Sequence, residues 1–257
     1  MRTRPLLALT AALGGLNGCD DRAQLGPSPA ADPGSVEGGG FLAAPNLTGV
    51  RHERQVIVLD GTAAPGSRVR LESAAGGLTA TTDAAGRWRF NLPASPEARL
   101  FGLSLQVGER VVRAQGDVLV TPSGQAAMLL AGGGAVTPGA AGPPRITAFD
   151  FDRQGAAIVS GVAPAGVAIS LRIDARQAAA GRARADGRFS LSLPQPVAAG
   201  PHEVELVGDA FRSSVKVDAT PASPLVGTRV RTSLTGQGLR ADWTTPGGGV
   251  QSTWVLN

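Results

Sequence analysis

The sequence predicts an all-β chain built from two tandem β-sandwich modules, and three observations predict it. Apolar and polar residues alternate with a period of two over short runs. Gly (36) and Pro (19) are frequent among the 257 residues, as many tight turns require. One set of motifs occurs twice at an offset of about 100 residues, the size of a single sandwich domain. Hydrophobic residues make up 42% of the chain, enough for two cores, although aromatics are only 4% and Tyr is absent.

The first element is a leader. MRTRPLLALTAALGGLNGC has a positive start at Arg2 and Arg4, then a short apolar run from Leu6 to Leu16. That run is too short to span a bilayer as a helix. Leu16-Asn17-Gly18-Cys19 follows and resembles the lipobox of bacterial lipoprotein signals. Leu16, Gly18 and Cys19 match its pattern; Asn17 departs from the usual Ala or Ser. The resemblance implies a signal peptide over residues 1–18, cleavage between Gly18 and Cys19, and acylation of Cys19. Two or three acyl chains hold a protein on a membrane where one does not. Cys19 is the only cysteine, which fits a thiol reserved for lipid and leaves the fold without disulfides. Residues 19–44 are rich in Pro, Gly, Asp and Ser with no apolar period, and read as a disordered tether.

The repeats come next, as module one (45–131) and module two (145–222). Val58-Leu59-Asp60-Gly61-Thr62-Ala63-Ala64-Pro65-Gly66 matches Ile158-Val159-Ser160-Gly161-Val162-Ala163-Pro164-Ala165-Gly166. Gly86-Arg87-Trp88-Arg89-Phe90-Asn91-Leu92-Pro93 matches Gly187-Arg188-Phe189-Ser190-Leu191-Ser192-Leu193-Pro194 without a gap. In each, one face is apolar and the other polar, the pattern of a half-buried antiparallel strand. Asp186-Gly187 marks a hairpin, and Pro93 and Pro194 close strands because Pro cannot donate to a ladder. A further hairpin turning at Thr121–Gly124 extends module one. Ala175–Ala185 is read as strand and loop. With their turn after the first core strand, their Asp-x-x-Gly-x-aromatic hairpin and Gly200-Pro201-His202-Glu203-Val204, the repeats resemble bacterial Ig-like modules. That resemblance implies a fold far more than a function.

Residues 132–144 (GGGAVTPGAAGPP) read as a linker. The tail, 223–257, holds two strand-like runs, Leu239–Trp243 and Val250–Leu256, around Pro246–Gly249. A lone hairpin is unstable in water, so it docks on a module edge or pairs with another chain.

Chemistry is sparse. His52 and His202 have no metal-ligand spacing and no cysteine to join them. No Gly-x-Ser-x-Gly elbow or phosphate-binding glycine loop is present. The sequence therefore predicts no enzyme, cofactor or metal. Asp150 and Asp152 are two carboxylates where calcium wants six or more oxygens. His202 takes the repeat position of Phe101, which points to packing. Trp88 lies in an inward register. Trp243 and Trp254 are the candidate binding residues, with docking of the hairpin as the competing role. The Arg residues are scattered, which argues against nucleic acid; Arg68, Arg70, Arg87 and Arg89 read as solvated edge protection. The expectation is a lipid-anchored protein of the bacterial cell envelope with a structural or protein-binding role. The alternative is a carbohydrate- or peptidoglycan-binding lipoprotein using the tryptophan pair. The expected partners are the membrane, through the anchor, and an envelope protein or glycan.

Overall fold

The computed structural model describes residues 42–139 and 142–256. The expected signal peptide, its expected cleavage site at Gly18 and Cys19, and the expected tether up to residue 41 lie outside the described residues. Those described form nineteen strands and no helix, and the strand pairs are antiparallel. The chain is all-β.

Module one runs β1 (Asn46–Glu53), β2 (Val56–Thr62), β3 (Arg68–Ser73), β4 (Gly76–Thr81), β5 (Arg87–Pro93), β6 (Arg99–Val107) and β7 (Arg110–Val120). β8 (Ala126–Leu130) and β9 (Gly134–Val136) follow. A three-stranded sheet, β1-β2-β5, faces a six-stranded sheet, β4-β3-β6-β7-β8-β9. The facing sides bury Ile57, Leu59, Trp88 and Phe90 against Val69, Leu71, Leu103, Leu105 and Val118. Each such side chain contributes about 1.5–3 kcal/mol on burial. Leu42 also packs on this core, so the end of the presumed tether lies against the module.

Module two repeats the plan with β10 (Arg145–Asp152), β11 (Ala157–Val162), β12 (Ala168–Ile173), β13 (Arg176–Arg182), β14 (Arg188–Ser192), β15 (Pro201–Gly208) and β16 (Phe211–Asp218). The correspondence extends to detail. Gly61 and Gly161 both lie under an aromatic ring, where an added Cβ would come within 2.0 Å of Trp88 and 2.5 Å of Phe189. Both first strands carry a bulge at the same place, between Leu47 and Gly49 and between Ile146 and Ala148. A bulge inserts one residue and so exchanges the two faces beyond it. In β10 it sends Phe149 and Phe151 into the module core and leaves Ala148 and Asp150 on the opposite face.

The tail departs from expectation. It holds three strands, β17 (Val230–Thr235), β18 (Gly238–Thr244) and β19 (Val250–Leu256), rather than a hairpin alone. β19 pairs with β10, with Phe149 opposite Trp254 and Asp150 opposite Thr253. The sheet becomes β14-β11-β10-β19-β18-β17, facing β13-β12-β15-β16. Of the two expectations for the tail, docking on a module edge is the one observed.

Residues 132–144 are also more than a linker. β9 lies within them and pairs with β8, Met128 opposite Val136. The glycine- and proline-rich composition of that segment hides the strand, because Gly134-Ala135-Val136 is only three residues long. A third core then forms between the outer faces of the two large sheets. Leu100, Leu119, Ala127, Leu129 and Ala135 of module one meet Ala148, Leu239, Ala241, Trp243 and Val255. The modules are therefore joined through a packed apolar interface as well as through the chain.

Candidate functional site

The two tryptophans singled out by sequence are both buried. Trp243 is 0% exposed, at the centre of the third core, and its Nε1 donates to Thr253 Oγ1 at 3.0 Å. Trp254 is 6% exposed in the core of module two, and its Nε1 donates to the Asp218 carbonyl at 3.0 Å. Neither ring offers a face to a sugar; of the two roles considered for the pair, both tryptophans serve docking of the tail rather than a stacking platform. β19 sends Trp254 and Leu256 into the core of module two and Val255 into the third core, and β18 sends Trp243 into the third core, so the two indoles lie on opposite faces of the sheet.

What surrounds Trp243 is a polar chain inside the module junction. Thr253 Oγ1, having accepted from Trp243, donates to Asp150 Oδ1. Gln251 Nε2 donates to Asp150 Oδ2. Asp150 is 1% exposed. Burial pushes its carboxyl up to about 7; the bonds from Thr253 and Gln251 pull the other way, and nearby Asp152 adds to the rise. Asp152 is occupied separately, its Oδ1 accepting the backbone N–H groups of Gln154 and Ala156. The two carboxylates considered for calcium thus serve different tasks, one in the junction and one in a turn. Among the described residues no group of three or more His, Cys, Asp or Glu is placed to hold a metal ion.

Asp150 lies at the base of a cleft of about 630 Å³ bordered by Gly132, Arg153, Thr245 and Gln251. Charged bonds flank the junction. Arg229, just before β17, donates to Asp117 of β7 at 3.0 Å. Asp117 is pushed up by burial, against the pull of Arg229. Asp242 is held below its ordinary value because donors outweigh its burial: Arg231, Ser252 and Arg240 all bond it. Arg188 donates to the Thr137 carbonyl at 3.1 Å and Ser190 to that of Gly133 at 3.2 Å, tying β14 to the segment around β9.

A second cleft, of about 700 Å³, lies beside His202. His202 meets a carboxylate, Asp174, at 2.7 Å. No Ser, Thr, Cys or Lys is among the residues lining that cleft. His52 is exposed and lies against Gly124 in the β7–β8 turn, away from His202.

The residues that sequence reasoning missed are those of the third core other than Trp243. Their signal was present: Val118-Leu119-Val120 and Ala126–Leu130 are continuous apolar runs, which mark strands buried on both faces.

No protein-family model matches the chain, and a search of curated proteins returns no match. Several solved structures are similar to it at low identity. A biofilm-associated protein domain is 16% identical over 72% of this chain and 30% of that one, with a TM-score of 0.25. A central fibronectin-III array of RIM-binding protein is 11% identical over 82% of this chain and 88% of that one, TM-score 0.24. A Ca2+-stabilized adhesin with which an Antarctic bacterium binds ice is 15% identical over 78% and 60%, TM-score 0.23. The chain spans 30% of the length of the first of these structures and 60% of the third.

Proposed function

We propose that this protein is a lipid-anchored spacer of the bacterial cell envelope with a structural or protein-binding role. The observation that carries the spacer part is the third core. Two sandwiches linked by a free segment would bend at the joint; two sandwiches sharing ten buried residues, Trp243 among them, hold one orientation. The anchor part is supported by Leu16-Asn17-Gly18-Cys19 and by the absence of any second cysteine. The same reading places the protein at the envelope, with the membrane as its first partner and an envelope protein as its second. The glycan alternative loses its support, since it rested on Trp243 and Trp254 and both are buried.

Membrane fractionation of the wild type and Cys19→Ser, with mass spectrometry of the mature N-terminus, tests the anchor. The expected outcome is an acylated Cys19 and release of the variant into the soluble fraction. Cleavage elsewhere with a free thiol removes the lipoprotein reading.

A further inference from the structure

His202 stands near the start of β15 and reaches across two loops. Its Nδ1 lies 2.7 Å from Asp174 Oδ2, in the β12–β13 turn, and its Nε2 lies 2.8 Å from the carbonyl oxygen of Ala198, in the β14–β15 loop. A carboxylate and a carbonyl only accept. A neutral imidazole has one N–H, so it satisfies one of them and turns a lone pair on the other. A ring making both bonds is the imidazolium. We propose that His202 is a proton-operated clamp: doubly protonated, it closes the β14–β15 loop onto the β12–β13 turn, and on losing a proton it lets the Ala198 stretch go.

The surroundings fit that task. Asp174 is itself fixed, its Oδ1 accepting the Glu203 N–H at 3.1 Å and its own N–H bonding the Glu203 carbonyl at 3.0 Å. It also adopts positive φ (49°), as does Ala175 (65°), so two successive non-glycine residues are held in a left-handed turn beside the ring. The loop is retained at Val197 by Gly155 and at Gly200 by Ala219. Release is therefore confined to the stretch between, which walls the 700 Å³ cleft together with Ile173, Gln177, Pro196 and His202. Module one has no such device: Phe101 occupies the corresponding position, buried at 5% exposure with the Arg99 guanidinium 5.5 Å from its ring centroid, and it has no proton to exchange.

The charges facing the ring set the sign. Asp174 and Arg176 come from the β12–β13 hairpin, and Asp218 from β16. Glu203 follows His202 on β15 and lies opposite Lys216. The loop over residues 193–200 brings no charge. Burial works against the charged ring, but the bonds to Asp174 and Ala198 and the charges of Asp174 and Asp218 outweigh it, and the pKa stands above the ordinary 6.5. Asp174 is pulled below its ordinary 3.8, first by His202 and then by the Glu203 N–H. The His202 contribution is complete below pH 6.5 and is lost as pH rises through the raised value; the Asp174 contribution is complete above 3.8 and is lost as pH falls through the lowered one. The clamp is closed between these limits.

NMR titration of the full chain tests this, with His52→Gln leaving a single imidazole to follow. The expected result is a His202 midpoint above that of histidine in a short peptide, with Ala198 and Asp174 amide shifts moving on the same midpoint. His202→Phe, which borrows the residue of module one, is expected to abolish those amide shifts. Asp174→Asn is expected to lower the His202 midpoint, and it keeps the proposal testable should the Phe variant not fold. A midpoint at or below the peptide value overturns the proposal. So do Ala198 shifts that ignore the ring's titration, or that persist in His202→Phe.

Discussion

Asp150 shows how one buried carboxylate reports on the junction around it. In the unfolded chain it ionises at an ordinary 3.8, and in the fold it stays protonated until about 7. Between those values the folded state binds the extra proton, so rising pH costs stability there and the loss levels off above 7. A shift of that size corresponds to a few kcal/mol, on the order of 1.4 per pH unit. Asp150→Asn removes the titrating group and keeps a carbonyl to accept from Gln251, while its amide can donate to Thr253. Chemical denaturation from pH 4 to 8 is expected to show a declining stability in the wild type and a flatter profile in the variant. Equal slopes would show that Asp150 is not the titrating group. The sequence named Asp150 as a carboxylate of interest, but not its task. Its solvent exposure depends on Gln251 and Thr253, about a hundred residues away, and no local pattern carries that distance. Trp88 was legible for the opposite reason: its inward register is set by its own strand, and Gly61, opposite it in β2, makes room for the ring.

At the scale of elements, the strands of both repeats follow from alternation and turn chemistry, which are local. Thr121–Gly124 turns where expected between β7 and β8, and the segment around Ala178 is strand, as its place in a hairpin implies. The elements that escaped were short or two-sided. β9 has three residues, and β17 alternates on an exposed edge with Leu234 72% exposed. The tail earns its place by covering β10, the edge that in module one is left to β1. Removing residues 223–257 is expected to uncover that edge and the outer faces of Leu119, Leu129 and Ala148 together. Exposed apolar area beside an open strand favours self-association. Light scattering coupled to size exclusion is expected to show the intact chain as the smaller species and the truncated chain as oligomer or aggregate. A truncated chain that stays monomeric and does not bind a hydrophobic dye would contradict this role for the tail.

At the scale of the whole molecule, three cores are stacked through four sheets: one inside each module and one between them. The middle core decides the behaviour, because it replaces a flexible joint with a packed one. Spin labels measure this most directly. On a Cys19→Ser background, Thr79→Cys in β4 and Ser214→Cys in β16 place one label on an exposed position of each module. Pulsed electron–electron resonance between them is expected to give one narrow distance distribution. A broad or multimodal distribution would show that the modules move independently, and would contradict the claim that they are joined by a shared core.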